Sequence, residues 1–145
     1  MNKNLDLRYI FSYLGTLPYL ILLIDKTFFN QIQINIINDF YIYYSLIIFV
    51  FIGAMNWSIN DDTPNFLIVY GFFPSIIAVI IIYLQLYSFD YVNIIFFLIT
   101  SIISQLILDF YLIYSQSKQK SFFVKLRIPL SVSICFFLLV NLTQF

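Results

Sequence analysis

Asp109 and Arg127 are the residues best placed to do chemistry in this sequence. Ser101, Gln105 and Asp109 recur at i, i+4 and i+8, with Ser104 alongside, so a helix through them carries one polar stripe. Arg127 follows across a short polar stretch. A carboxylate and a guanidinium at the same end of two successive helices neutralise each other through charge-assisted hydrogen bonds. Two readings stand: a staple between two helices, or a binding or ion-coupling group, since an ionisable residue within a membrane span is a functional candidate by default.

Other chemistry is scarce. The chain has no His and a single Cys, Cys135, and its seven acids are all Asp: Asp6, Asp25, Asp39, Asp61, Asp62, Asp90 and Asp109. One chain therefore cannot assemble a structural zinc site, a haem with histidine ligands or an iron–sulfur centre. Nor can it form a Ser–His or Cys–His nucleophile pair. We expect no cofactor, no metal and no enzyme activity. Cys135 reads as a small apolar residue.

The elements that position Asp109 and Arg127 follow from composition. Of 145 residues, 62% are hydrophobic and 10% charged, and the mean hydropathy is +0.95. Soluble domains carry about 25% charged residues, so these charges are too few to coat a water-facing surface. The formal net charge is zero, which leaves no basic field to gather nucleic acid. The composition points to an all-α, multi-pass membrane protein.

A span needs about 20 mostly apolar residues. Five segments meet this, over approximately 9–29, 40–58, 64–87, 91–114 and 124–143, which makes one five-helix membrane domain. In the first, Lys26 is expected to snorkel to the headgroups. The motif Asp25-Lys26-Thr27-Phe28-Phe29 lacks a small-residue cleavage site, so this segment is expected to be retained rather than cleaved as a signal peptide. Asp62 or Thr63 is expected to cap the third helix, with Pro64 in its first turn. Ser88-Phe89-Asp90 reads as a tight turn. The stretch Asn30–Asp39 alternates Ile with Gln or Asn and reads as a surface loop or a short interfacial element.

Charge placement orients the bundle. With five spans, Lys3, Arg8, Lys118, Lys120, Lys125 and Arg127 share one side and only Lys26 lies on the other. The positive-inside rule then puts the N-terminus in the cytoplasm and the C-terminus outside.

Packing motifs accompany this pattern. Tyr41, Ser45, Phe49, Gly53 and Trp57 recur every four residues along the second helix. Gly53-Ala54 admits a close neighbour, Trp57 is an interfacial anchor, and Asn56 can hydrogen-bond across helices. Gly15 and Pro18 interrupt the first helix, and Gly71 and Pro74 the third. Such breaks read as packing kinks or, when paired, as a transport site. Pro129 lies in the first turn of the last helix and costs little. Asn56, Trp57, Asp61, Asp62, Gln105, Asp109 and Arg127 are expected to gather as one polar cluster on the cytoplasmic side.

The ordered motifs Leu14-Gly15-Thr16-Leu17-Pro18-Tyr19, Phe51-Ile52-Gly53-Ala54-Met55-Asn56-Trp57-Ser58, Pro74-Ser75-Ile76-Ile77-Ala78, Asp109 and Leu126-Arg127-Ile128-Pro129-Leu130-Ser131 resemble the family called domain of unknown function 3429. That family includes bacterial inner-membrane proteins and the mitochondrial transmembrane protein 69. The chain departs from its pattern at Ala54, Asn56, Ser58 and Val79. The resemblance implies a five-helix protein of a bacterial inner membrane or, alternatively, of the mitochondrial inner membrane, and it brings no established activity.

The resulting expectation is a non-catalytic membrane subunit, scaffold or assembly factor in the lipid bilayer, with a membrane-protein partner or further copies of itself. The alternative is an oligomeric small-solute or ion transporter or channel. The charge pattern predicts that a phosphatase fused after Phe145 is active and that a fluorescent protein fused there stays dark. The reverse result removes the five-span topology.

Overall fold

A computed structural model of the chain describes residues 10, 12–54, 65–113 and 123–143. Among these, every regular element is helical. Helix α1 covers Leu17–Ile24 and runs into a π-helical turn, Asp25–Phe29. Helices α2, α3 and α4 cover Ile34–Ala54, Asn65–Leu86 and Tyr91–Ile113. A second π turn, Phe123–Arg127, leads into α5, Ile128–Thr143. Four stretches are long and apolar enough to cross a membrane: Ile34–Ala54, Phe66–Leu86, Tyr91–Leu112 and Val124–Thr143.

The first segment is interrupted where Gly15 and Pro18 were expected to break it. Residues 12–14 are helical, Gly15 and Thr16 form a turn, and α1 restarts at Leu17. Pro18 is the cause. It lacks an N–H, and in an unbroken helix its ring would collide with the carbonyl of Leu14. In the turn, the Thr16 amide and hydroxyl both donate to the Tyr13 carbonyl, at 3.0 and 2.8 Å. Pro18 then occupies the first turn of α1, where no amide is needed. The far end closes on Asn30, which is left-handed at φ 50° and donates its N–H to the Asp25 carbonyl at 2.7 Å.

The Asn30–Asp39 expectation is also corrected. Only the first few residues connect, and α2 begins at Ile34. Counted from there, the buried positions Ile37, Asn38, Tyr41, Ile42, Ser45, Leu46, Phe49 and Ile52 follow helical spacing. The Ile/polar alternation before them hides this, because a period of two and a period of 3.6 coincide over a few residues. The Ser88 turn has a specific chemistry. Ser88 is left-handed at φ 54°, its N–H donates to the Gln85 carbonyl, and the Phe89 N–H donates to that of Leu84, both at 3.1 Å. This pairing is a Schellman cap. Asp90 then opens α4, accepting the Asn93 N–H at 3.4 Å.

The chain divides into two compact units, Phe40–Ser101 and Met1–Asp39 with Ile102–Phe145. The first packs Tyr41, Ile42, Phe49, Ile81, Ile95 and Leu98 in its interior. Its tightest point is Gly53 on α2. A Cβ there would stand 2.5 Å from Pro74 Cγ and 3.1 Å from the Gly71 carbonyl oxygen of α3. Small residues permit such an approach in membrane helices. The second unit buries Tyr19, Leu126, Leu130, Ile134, Phe137 and Leu138. Tyr19 and Phe137 stack with centroids 5.3 Å apart, 4° from parallel.

Replacing Gly53 by Ala overpacks its contact and is expected to cost about 1–3 kcal/mol. Ala54→Val, at the exposed neighbouring position, is expected to stay within about 0.5 kcal/mol. Reversible unfolding in mixed micelles, followed by circular dichroism, measures both.

Candidate functional site

Within the second unit, Asp109 lies about one turn before the end of α4. Arg127 is the last residue of the π turn before α5. Asp109 is 0% exposed and Arg127 2%. The guanidinium grips one carboxylate oxygen from the side: Nε donates to Asp109 Oδ2 at 2.7 Å, and Nη2 donates to the same oxygen. The contact is a buried ion pair that joins α4 to the start of α5. Desolvating either charge alone is costly, so each group stabilises the other's burial.

The stripe leading to Asp109 is partly as expected. Ser101 and Gln105 are buried with it, and the Ser101 hydroxyl donates back to the Phe97 carbonyl at 2.8 Å. Ser104 is corrected: it is exposed, because a step of three residues from Ser101 carries it off the 101–105–109 line. Asn56 and Trp57, expected near this pair, lie outside the described residues, as do Asp61, Asp62 and Thr63. Gly53, Gly71 and Pro74 meet in the first unit, and Gly15 and Pro18 frame the break before α1.

A second polar cluster was not anticipated. Lys26 does not simply reach for headgroups. Its ammonium donates to Asn141 Oδ1 at 2.8 Å and to the Asn141 carbonyl at 3.2 Å. The Asn141 amide in turn donates to Asn38 Oδ1 at 3.2 Å. Asn141 is fully buried and Asn38 is 6% exposed. Spacing carried the missing signal. Arg127, Ser131, Ile134, Leu138 and Asn141 follow steps of four, three, four and three, and all five are buried. This stripe of α5 begins and ends on a polar side chain. The two lie about 21 Å apart along the axis at 1.5 Å per residue. Near the Arg127 end, the Tyr13 hydroxyl donates to the Lys125 carbonyl at 2.5 Å.

No family model, curated protein or solved structure matches this chain. Its chemistry is therefore read from its own side chains. Among the described residues, no three His, Cys, Asp or Glu side chains gather as a metal-binding group. Asp109, buried and gripped by the Arg127 guanidinium, is suited to fixing helices together. The Lys26–Asn141–Asn38 chain ties the start of the unit to its last helix by the same logic.

Arg127→Met strands the Asp109 carboxylate and is expected to lower stability by about 3–5 kcal/mol. The double variant Asp109→Leu/Arg127→Met removes both charges and is expected to recover most of that loss. Unfolding midpoints of the three proteins in mixed micelles test this; a double variant as unstable as the single would mean that the pair does more than hold helices.

Proposed function

We propose that this chain is a non-catalytic component of a membrane complex, a subunit, scaffold or assembly factor. In this reading it crosses the bilayer five times, with its N-terminus in the cytoplasm and the interrupted 10–29 segment as the fifth span. The observation that carries the reading is the mutual satisfaction of its internal charged groups. Asp109 is held by Arg127 and Lys26 by Asn141, which makes them fixed struts. The apolar surface of α3 supports it further: only 28% of its spanning window is buried. Tyr83, Val79, Phe73 and Phe66 all stand exposed along it, facing lipid or a partner helix.

The membrane in this proposal is a bacterial inner membrane, with the mitochondrial inner membrane as the alternative. Kinship with the family of domain of unknown function 3429 belongs to the same proposal and rests on the order of motifs. The second reading is an oligomeric ion or small-solute transporter. The break at Gly15–Thr16 favours it, since interrupted helices are where transporters place their sites, whereas α3, expected to be interrupted as well, runs unbroken through Gly71 and Pro74.

One pair of measurements separates the readings. Mild solubilisation from the native membrane is expected to release the chain with a defined partner at fixed stoichiometry. Proteoliposomes of the purified chain are expected to leak protons and potassium no faster than empty ones. A flux that disappears in Asp109→Asn would establish the transporter and overturn the scaffold.

A further inference from the structure

The outer side of α4 and α5 carries a feature that neither reading uses. Two adjoining grooves, about 270 and 370 Å3 in volume, share Leu106. One is walled by Ile103 and Leu106 of α4 and by Val132, Cys135, Phe136 and Leu139 of α5. The other continues past Ile107, Phe110 and Tyr111 to Ile128. All these residues belong to the same compact unit.

Three properties point to one occupant. The first is length. From Ile128 to Leu139 the groove runs about 16 Å at 1.5 Å per residue, about half of a 30 Å hydrocarbon core. It is as long as one leaflet, and so as one acyl chain. The second is lining: the walls are almost wholly aliphatic and aromatic. The third is an exposed cation near one end. Leu139, Phe136, Val132 and Ile128 step by three, four and four along the α5 wall, and Lys125, an exposed residue, lies three positions before Ile128 in the π turn that leads into that wall. Tyr111, 72% exposed, ends the α4 wall on the same side. Arg127 next door is already neutralised by Asp109, which leaves Lys125 as the cation at this mouth among the described residues.

We infer that the α4–α5 groove is a binding site for an anionic glycerophospholipid, with one acyl chain lying between Ile128 and Leu139 and its phosphate at Lys125. Basic positions where helices leave the membrane favour acidic headgroups in this way. The inference rests on the chain being embedded in a bilayer, and it holds whether the protein is a scaffold or a transporter.

The full-length protein, purified in mild detergent and exchanged into nanodiscs of equal phosphatidylglycerol and phosphatidylcholine, tests it by native mass spectrometry of retained lipid. Wild type is expected to keep phosphatidylglycerol in preference. Lys125→Gln is expected to reduce that preference about fivefold. Val132→Trp, at a position 56% exposed, is expected to fill the groove and release the lipid. A photoactivatable phosphatidylglycerol provides a measurement on the unaltered protein, with crosslinks expected on residues 102–111 and 128–139. Equal retention of both lipids, crosslinks confined to other helices, or a dimer that Val132→Trp dissolves would each overturn the assignment, the last by seating a second copy in the groove. The lipid result stands apart from the partner and flux measurements, so either proposal can fail alone.

Discussion

A charge removed from water must bring its own partner, and this constraint organises the second unit of the protein. Asp109 and Arg127 satisfy it mutually. Their pairing brings the end of α4 to the start of α5. At the other end of α5, Asn141 does the same for Lys26 with a neutral side chain, lending a carbonyl and an amide oxygen. Backbone groups are satisfied within the helices themselves, so side chains such as these are left to choose which helices meet.

The first unit solves the packing problem differently. Its contact between α2 and α3 depends on what is missing, a Cβ at Gly53 opposite the ring of Pro74. Close backbone approach brings dispersion contacts, which are the main attraction available where the surroundings are as apolar as the side chains. One unit is thus specified by polar contacts at the two ends of a helix, the other by shape.

Much of this was legible in the sequence, for reasons that differ by residue. Four long apolar stretches could be read from hydropathy because each reaches the length a bilayer demands. Asp109 and Arg127 were marked by residue type, by the polar stripe that leads to Asp109 and by their place at the same end of two successive apolar segments. Asn141 did not, because it sits among Leu138, Leu139, Val140 and Leu142, where a hydropathy window absorbs one amide. Its role depends on Lys26, far away in the chain, and no local pattern reports such a contact. The start of α2 was obscured by the alternating Ile residues before it. The break in the first segment was marked by Gly15 and Pro18, but sequence did not say whether the helix would bend or stop. The hydrogen bonds of Thr16 to Tyr13 show that it turns.

The order in which the paired groups occur along the chain has a consequence for how the protein is made. Arg127 follows Asp109 by 18 residues. At about 5–20 residues per second, the carboxylate waits about one to four seconds for its cation. Lys26 precedes Asn141 by 115 residues, which sets a wait of about 6–23 seconds. The acid thus meets its cation soon after it is made, which favours early pairing of α4 with α5. The lysine waits longer, until α5 has been synthesised. The Asp25–Phe29 turn therefore gains its contact with α5 only after that helix has been made.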